Sequence, residues 1–235
     1  MAVLSPLKEN ASLDKLAYEK IKNAILTFKF LPNQALIEGE LAAQLGISKT
    51  PVRDALMQLE REDLVARVPF KGTYVSDINK QDMADTYEIR IALEGLAIHL
   101  ATKSLTEDDL KQLERLVEEH NHALKQHEIV NVLQINSDFH SVIIDRCSNT
   151  KLIKNLHLLD DSLKRYRLLS IAQGNRLEKS VPEHRAILEA LKRRDADAAE
   201  IAMKHHLQSA MNDLSTQNFA ELEKKLHIEI DEINK

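Results

Sequence analysis

The chain has 235 residues, long for one domain and enough for two that each bury a core. Hydrophobic residues make up 43% and charged residues 29%, the balance of a soluble globular protein, and five glycines with five prolines argue against a loop-rich all-β fold. The single cysteine, Cys147, excludes an internal disulfide and a multi-cysteine zinc site; with no signal-peptide core and no run near the ~20 apolar residues of a membrane span, the expectation is a cytoplasmic protein.

The net charge of −5 argues mildly against a protein that coats nucleic acid, but the charge is unevenly spread. Residues 1–76 carry ten Lys/Arg against nine Asp/Glu, and the remainder carries 22 against 28. A near-neutral segment can still bind DNA when its cations share one face. All ten histidines lie after residue 98.

In chain order, Ser12 or Asp14 can cap a first helix whose apolar positions Leu13, Leu16, Ala17, Ile21, Ala24, Ile25 and Phe28 recur at helical spacing. It stops before the turn signal Leu31-Pro32-Asn33. Glu38 to Leu45 reads as a short helix, Gly46 as a tight turn, and Ser48 as the cap of a helix from Lys49 to about Glu62 with Pro51 in its first turn. Leu64–Val68 and Thr73–Ser76 are rich in β-formers, and Pro69-Phe70-Lys71-Gly72 reads as the hairpin tip between them. Three helices with a tight turn before the third, then a hairpin, is a winged helix-turn-helix pattern, with a generic small α+β domain as the blander alternative.

From residue 79 the texture is helical throughout. Helices are expected over Lys80–Lys103, from the approximate capping box at Thr106 to about Gln126, over Glu128–Cys147, over Asn149–Ile171, from the capping box Ser180-Val181-Pro182-Glu183 to Arg193, and from Asp195 to about Asn212. The charged tail after Ser215 reads as a frayed extension or a partner contact. The fold class is therefore mainly α: a winged helix-turn-helix over residues 1–77, then an all-α bundle of six to seven helices over 78–235.

A recognition helix meets the major groove through its first turn, which here presents Ser48, Lys49, Thr50 and Arg53. Lys49 and Arg53 share a face opposite Val52 and Leu56, and an arginine there can fork onto a guanine edge or clamp a phosphate. Lys71 and Gly72 at the hairpin tip would reach the neighbouring groove, glycine allowing close backbone approach. Taken alone, two cations on a helix are equally a solvated face.

In the second half Asn136 and His140 are four apart on one helix, with His184 and His206 on two later helices. Three imidazoles and an oxygen donor aimed at one interior point suit Zn²⁺, Ni²⁺ or a similar divalent ion, although ten histidines also produce accidental pairs. Arg90 sits among Ile89, Ile91, Leu93 and Leu96 and needs solvent, an anion or a salt bridge, with Glu94 at helical spacing.

The stretch from Leu36 to Leu56, LIEGELAAQLGISKTPVRDAL, closely resembles the signature of GntR-family transcriptional regulators. The resemblance implies DNA contact by Lys49, Thr50 and Arg53, with the Lys71-Gly72 wing tip in the minor groove. Lys49 stands where the family usually has arginine, losing planar bidentate recognition, and Gly39 where many members have arginine. Asn136-x-x-Phe139-His140, Glu183-His184-x-x-Ile187-Leu188 and Met203-Lys204-His205-His206-Leu207 resemble the metal-site segments of the helical (FCD-type) domain in the FadR-like branch. The position of Asn136 is commonly aspartate there, and an amide oxygen offers a cation less charge. In that branch the arginine matching Arg90 points into the effector pocket and often meets a carboxylate.

Together these readings give a homodimeric DNA-binding regulator on a palindromic operator, controlled by a small carboxylate effector and a divalent metal in the helical half. A metal-dependent enzyme built in the bundle is the alternative from another class, since three histidines with an open position can activate water. A third reading keeps the DNA-binding role but makes the metal purely structural.

Overall fold

The computed structural model describes residues 12–126, 128–171, 176–219 and 221, and divides between Asp77 and Ile78 into two compact units. In the first, α1 (Leu13–Leu26), α2 (Glu38–Leu45) and α3 (Lys49–Arg61) pack beside a small sheet of β1 (Ala35–Leu36), β2 (Val65–Val68) and β3 (Gly72–Val75). The sheet is antiparallel in the order β1-β3-β2, with Val65 opposite Val75, Val68 opposite Gly72 and Leu36 opposite Thr73. Strand β1 is a difference from the sequence reading, which left Ala35–Leu36 unassigned. Two residues carry no periodicity, and their pairing with β3 is tertiary.

Three layers of apolar side chains hold this unit: Ala17, Ile21 and Ile25 from α1, Leu41 and Ala42 from α2, and Val52, Ala55, Leu56 and Leu59 from α3. Gly46 ends α2 in the left-handed region (φ 68°), and the Ile47 N–H donates to Ala42 O at 3.0 Å, returning the chain to start α3. Ser48 is the N-cap residue of α3 by backbone conformation, but its hydroxyl makes no capping hydrogen bond. Helix α1 stops at Leu26, short of Phe28, which adopts φ 55° and is buried at the turn.

The second unit is helical: α4 (Lys80–Ala101), α5 (Glu107–Lys125), α6 (Ile129–Asp145), α7 (Thr150–Ile171), α8 (Arg176–Lys192) and α9 (Ala196–Ser215). Its core joins Ile98 of α4, Leu113 of α5, Phe139 and Ile143 of α6, Ile187 and Leu191 of α8, and Met203 and Leu207 of α9. Asn79, Thr106 and Asp195 cap α4, α5 and α9 through their side chains, Thr106 in a full capping box with Asp109.

One helix start is corrected. Ser180-Val181-Pro182-Glu183 does not open a helix; α8 already runs from Arg176 and carries Pro182 inside it. The Ser180 hydroxyl is buried and donates to Leu177 O at 2.6 Å instead of capping. Proline removes the N–H that would bond to residue 178, but Glu178 is exposed, so water can satisfy that carbonyl. Burial of Arg176, Leu177 and Val181 holds the preceding turns in the helix. The tail beyond residue 221 lies outside the described residues.

Candidate nucleic-acid interface and metal centre

The amphipathic pattern of α3 buries Val52, Ala55, Leu56 and Leu59 and leaves Ser48, Lys49, Thr50 and Arg53 exposed together at its first turns. Arg53 keeps 55% of its side chain in solvent while Nη2 donates to Glu38 Oε2 at 2.8 Å and Nε reaches both carboxylate oxygens at 3.2 Å. These hydrogen bonds hold the Glu38 carboxyl below the usual range. Gly39 lies beside Lys49: a Cβ there would touch Lys49 Cε at 3.5 Å. The two departures from the GntR signature are therefore neighbours. On the hairpin, Lys71 and Gly72 are exposed, Gly72 with φ 120°.

In the helical unit, the ligand atoms of His140 (α6), His184 (α8) and His206 (α9) lie within 4.8 Å of one another, and all three rings are buried. Two carboxylates stand behind them. His140 Nδ1 donates to Glu94 Oε2 at 2.5 Å, and His206 Nδ1 donates to Glu183 Oε2 at 2.8 Å. Arg176 Nη2 is also 3.2 Å from His206 Nδ1, but it donates to the same Glu183 oxygen at 2.6 Å, and the shorter carboxylate contact sets the tautomer. Both rings then present a bare Nε2 lone pair, and the two Nε2 atoms face each other at 3.2 Å. The third ring, His184, belongs to the same cluster, and its Nε2 is buried without a hydrogen-bond partner. Two facing lone pairs beside a third buried imidazole whose Nε2 is unpartnered fit a cation, and carboxylate-backed histidines are the usual outer shell of such a site.

The electrostatics agree. Burial lowers the proton affinity of all three imidazoles, His206 to about 3 despite the opposing hydrogen bond from Glu183, and His184 well below its ordinary value with the neighbouring histidines adding to the effect. Burial alone would raise Glu94, but Arg90 and His140 hold it ionised far below the usual range; likewise hydrogen bonds from His206 and Arg176 outweigh burial at Glu183 and bring it to about 2. The centre offers neutral nitrogens backed by anions, the state a metal requires.

Arg90 is 2% exposed, and its Nε donates to Glu94 Oε1 at 2.5 Å. The Glu94 salt bridge foreseen at helical spacing therefore exists, but in the interior and not on a surface. Arg90 also lines a cavity of about 40 Å³ together with Tyr87, Asn136, Arg167, Arg176 and His206, roughly the room of a few water molecules. Asn136 thus faces the same cavity as His206, while Asp138 instead accepts from Gln134 at 2.8 Å and His205 is exposed.

Sequence reading missed four contributors. Glu94 entered only as a partner for Arg90, and Glu183 as a capping residue and as the first residue of the His184 segment, without a role in orienting a ring. Arg167 and Arg176 carried none. His120 is a further buried histidine, donating through Nε2 to Ser180 Oγ at 3.1 Å and held at about 4 by burial and by the charge of Arg176.

A three-helix base with an antiparallel wing, joined in one chain to a helical bundle with a buried polar centre, defines a DNA-binding transcriptional regulator with a helical second domain. Residues 13–75 match the bacterial regulatory proteins of the gntR family and residues 85–209 match the FCD domain, and the chain belongs to the GntR family, in the part that carries an FCD domain. It is 30% identical to the HTH-type transcriptional regulator YdhC of Bacillus subtilis (strain 168) over 83% of this chain and 86% of that protein. It is 26% identical to the HTH-type transcriptional repressor RspR of Escherichia coli (strain K12), over 88% of this chain and 91% of the repressor. Among solved structures, E. coli McbR/YncC matches with a TM-score of 0.74 at 25% identity, covering 88% of this chain and 98% of that one. These families and relatives are transcriptional regulators, not enzymes, which removes the metal-dependent enzyme reading. Among the described residues no helix is long and apolar enough to cross a membrane.

Proposed function

We propose that this GntR-family regulator works in the cytoplasm as a homodimer whose affinity for a palindromic operator is set by a small carboxylate effector, bound with a divalent cation in the helical unit. Residues 1–77 act as the DNA-binding domain and residues 78–235 as the effector-binding and dimerisation domain. Ser48, Lys49, Thr50 and Arg53 enter the major groove, and Lys71 and Gly72 approach the adjacent minor groove. Dimerisation is supported by Ile89 (51% exposed) and Leu96 (44% exposed), seven residues apart and so on one face of α4.

The observation that carries the effector half is the 3.2 Å approach of two bare imidazole nitrogens beside a cavity lined by three arginines. His140, His184 and His206 would hold Zn²⁺ or Ni²⁺, with Asn136 as an oxygen donor. When bound, the cation supplies a Lewis-acid site for an effector carboxylate. Arg90, with Arg167 and Arg176, supplies fixed positive charge on the same cavity, and Glu94 and Glu183 orient the ligating rings. A ligand that prefers one arrangement of the helical unit shifts operator affinity, and operator binding shifts effector affinity by the same factor.

The test is elemental analysis of protein purified without chelator or histidine tag, followed by thermal melting of the metal-loaded protein with a panel of small carboxylates. About one metal per chain, and a carboxylate that raises the melting midpoint and changes the gel-shift affinity for a selected DNA duplex, is the expected result. A metal-loaded protein that responds to no carboxylate supports a purely structural ion and ends the effector reading.

A further inference from the structure

The wing carries a residue that the roles above leave unexplained. Phe70 at the hairpin apex is 109% exposed, as open as in an isolated peptide, and adopts φ 63°. A bulky side chain in the left-handed region is a true conformational outlier. Of the other non-glycine residues with positive φ, Asn33, Asp63 and Arg194 are polar, and Phe28 buries all but 1% of itself in the core. Phe70 has neither compensation.

The tip is built to present that side chain. Pro69 and Phe70 are the central residues of a turn closed by the Lys71 N–H donating to Val68 O at 3.0 Å, directly on the Val68–Gly72 rung of the ladder. At the second central position with φ above zero, glycine or asparagine is the ordinary occupant. The exposed cations Arg67 and Lys71 flank it. An aromatic ring gains nothing from the phosphates those cations would meet. It gains from base faces and sugar edges, and apolar wedges are a recurrent device for opening base steps from the minor groove.

We infer that Phe70 is a DNA wedge: it lodges at a base step of the minor groove beside the segment read by α3 and bends the duplex there, while Arg67 and Lys71 clamp the phosphates on either side. The inference rests on the winged unit binding DNA through α3, and it makes the wing a reader of duplex deformability, favouring easily unstacked pyrimidine–purine steps.

The test compares wild type, Phe70→Asn and Arg53→Ala on one duplex selected by the wild-type protein from a random-sequence pool. Asparagine tolerates the left-handed conformation, so the Phe70→Asn hairpin should fold with an unchanged or higher melting midpoint. Its Kd for the duplex should rise about tenfold, and the bend read by circular-permutation gel shift should shrink. A Kd within twofold of wild type, a weaker complex with an unchanged bend, a lowered melting midpoint, or a change confined to the sedimentation of the free protein would each overturn the wedge. Arg53→Ala separates the two readings: if it retains full affinity the α3 assignment fails, whatever Phe70→Asn does.

Discussion

Glu94 Oε2 stands 2.5 Å from Nδ1 of His140, and the other oxygen of the same carboxylate takes Arg90 Nε at 2.5 Å, so one buried anion joins the arginine of the cavity to a ring of the histidine centre. Glu94 therefore has two tasks, fixing the tautomer that exposes His140 Nε2 and balancing the charge of Arg90. Glu94→Gln should weaken Zn²⁺ binding by roughly 10- to 100-fold, the usual scale for loss of an outer-shell partner of a ligating histidine. It should also lower folding stability by about 3–5 kcal/mol, because the buried Arg90–Glu94 ion pair is broken. Competition against a chromogenic chelator measures the first effect and guanidinium unfolding the second. A variant with native metal affinity would remove Glu94 from the centre.

The same burial predicts how the metal-stripped protein responds to pH. His206 and His120 are held near 3 and 4, below the ordinary 6.5 of an unfolded chain. Between pH 6.5 and about 4 the unfolded state therefore binds more protons than the folded one, so stability falls as pH falls. Each histidine removes about 1.4 kcal/mol per pH unit once the pH is well under its unfolded value. Glu183, depressed to about 2, acts in the same sense, losing its contribution as pH falls from the ordinary carboxylate value of 4.5 toward 2, a separate and lower window. Urea unfolding at pH 7.5 and pH 5 should show a clear loss in chelator-treated protein. Equal stability at both pH values in the stripped protein would contradict neutral buried imidazoles.

At the other end of the chain, Arg53 is exposed yet aligned by Glu38, whose carboxylate holds both Nε and Nη2. Arg53→Ala should weaken binding to a selected operator by roughly 1–3 kcal/mol without changing the fold. Glu38→Gln releases the guanidinium into many rotamers and also removes a negative charge beside DNA. It should tighten non-specific binding while narrowing the ratio of specific to non-specific affinity several-fold. Gel-shift titrations at several salt concentrations separate these effects, and an unchanged ratio in Glu38→Gln would show that Glu38 does not position Arg53.

What the sequence made legible follows the range of the interactions involved. The helices of the first unit are local patterns: apolar spacing in α1 and α3, and glycine at Gly46. So are the side-chain caps at Thr106 and Asp195. Strand β1 was not legible because two residues have no period and pair only with distant β3. The three histidines could be proposed as a set because each sits in a recognisable segment, whereas Arg167 and Arg176 reach the cavity from α7 and α8 through packing that leaves no mark in the sequence. The start of α8 was misplaced for the opposite reason. Ser180-Val181-Pro182-Glu183 carries every local sign of a helix beginning, and the burial of Arg176 and Leu177 overrides it.

Pro182 makes that override testable. A proline inside α8 leaves one intrahelical bond unmade immediately before Glu183 and His184, so a local rule is broken next to the centre that these two residues serve. Pro182→Ala restores the N–H toward residue 178 and should raise the stability of the metal-free protein by about 1–3 kcal/mol. The gain should carry a functional loss: a newly made bond in this turn shifts Glu183 and His184 relative to His206 and His140, so Zn²⁺ affinity should fall. Guanidinium unfolding of the stripped variant together with chelator competition reads both quantities. Greater stability with undiminished metal affinity would mean that the proline is incidental to the centre, and lower stability would mean that the packing of α8 is built around the proline ring.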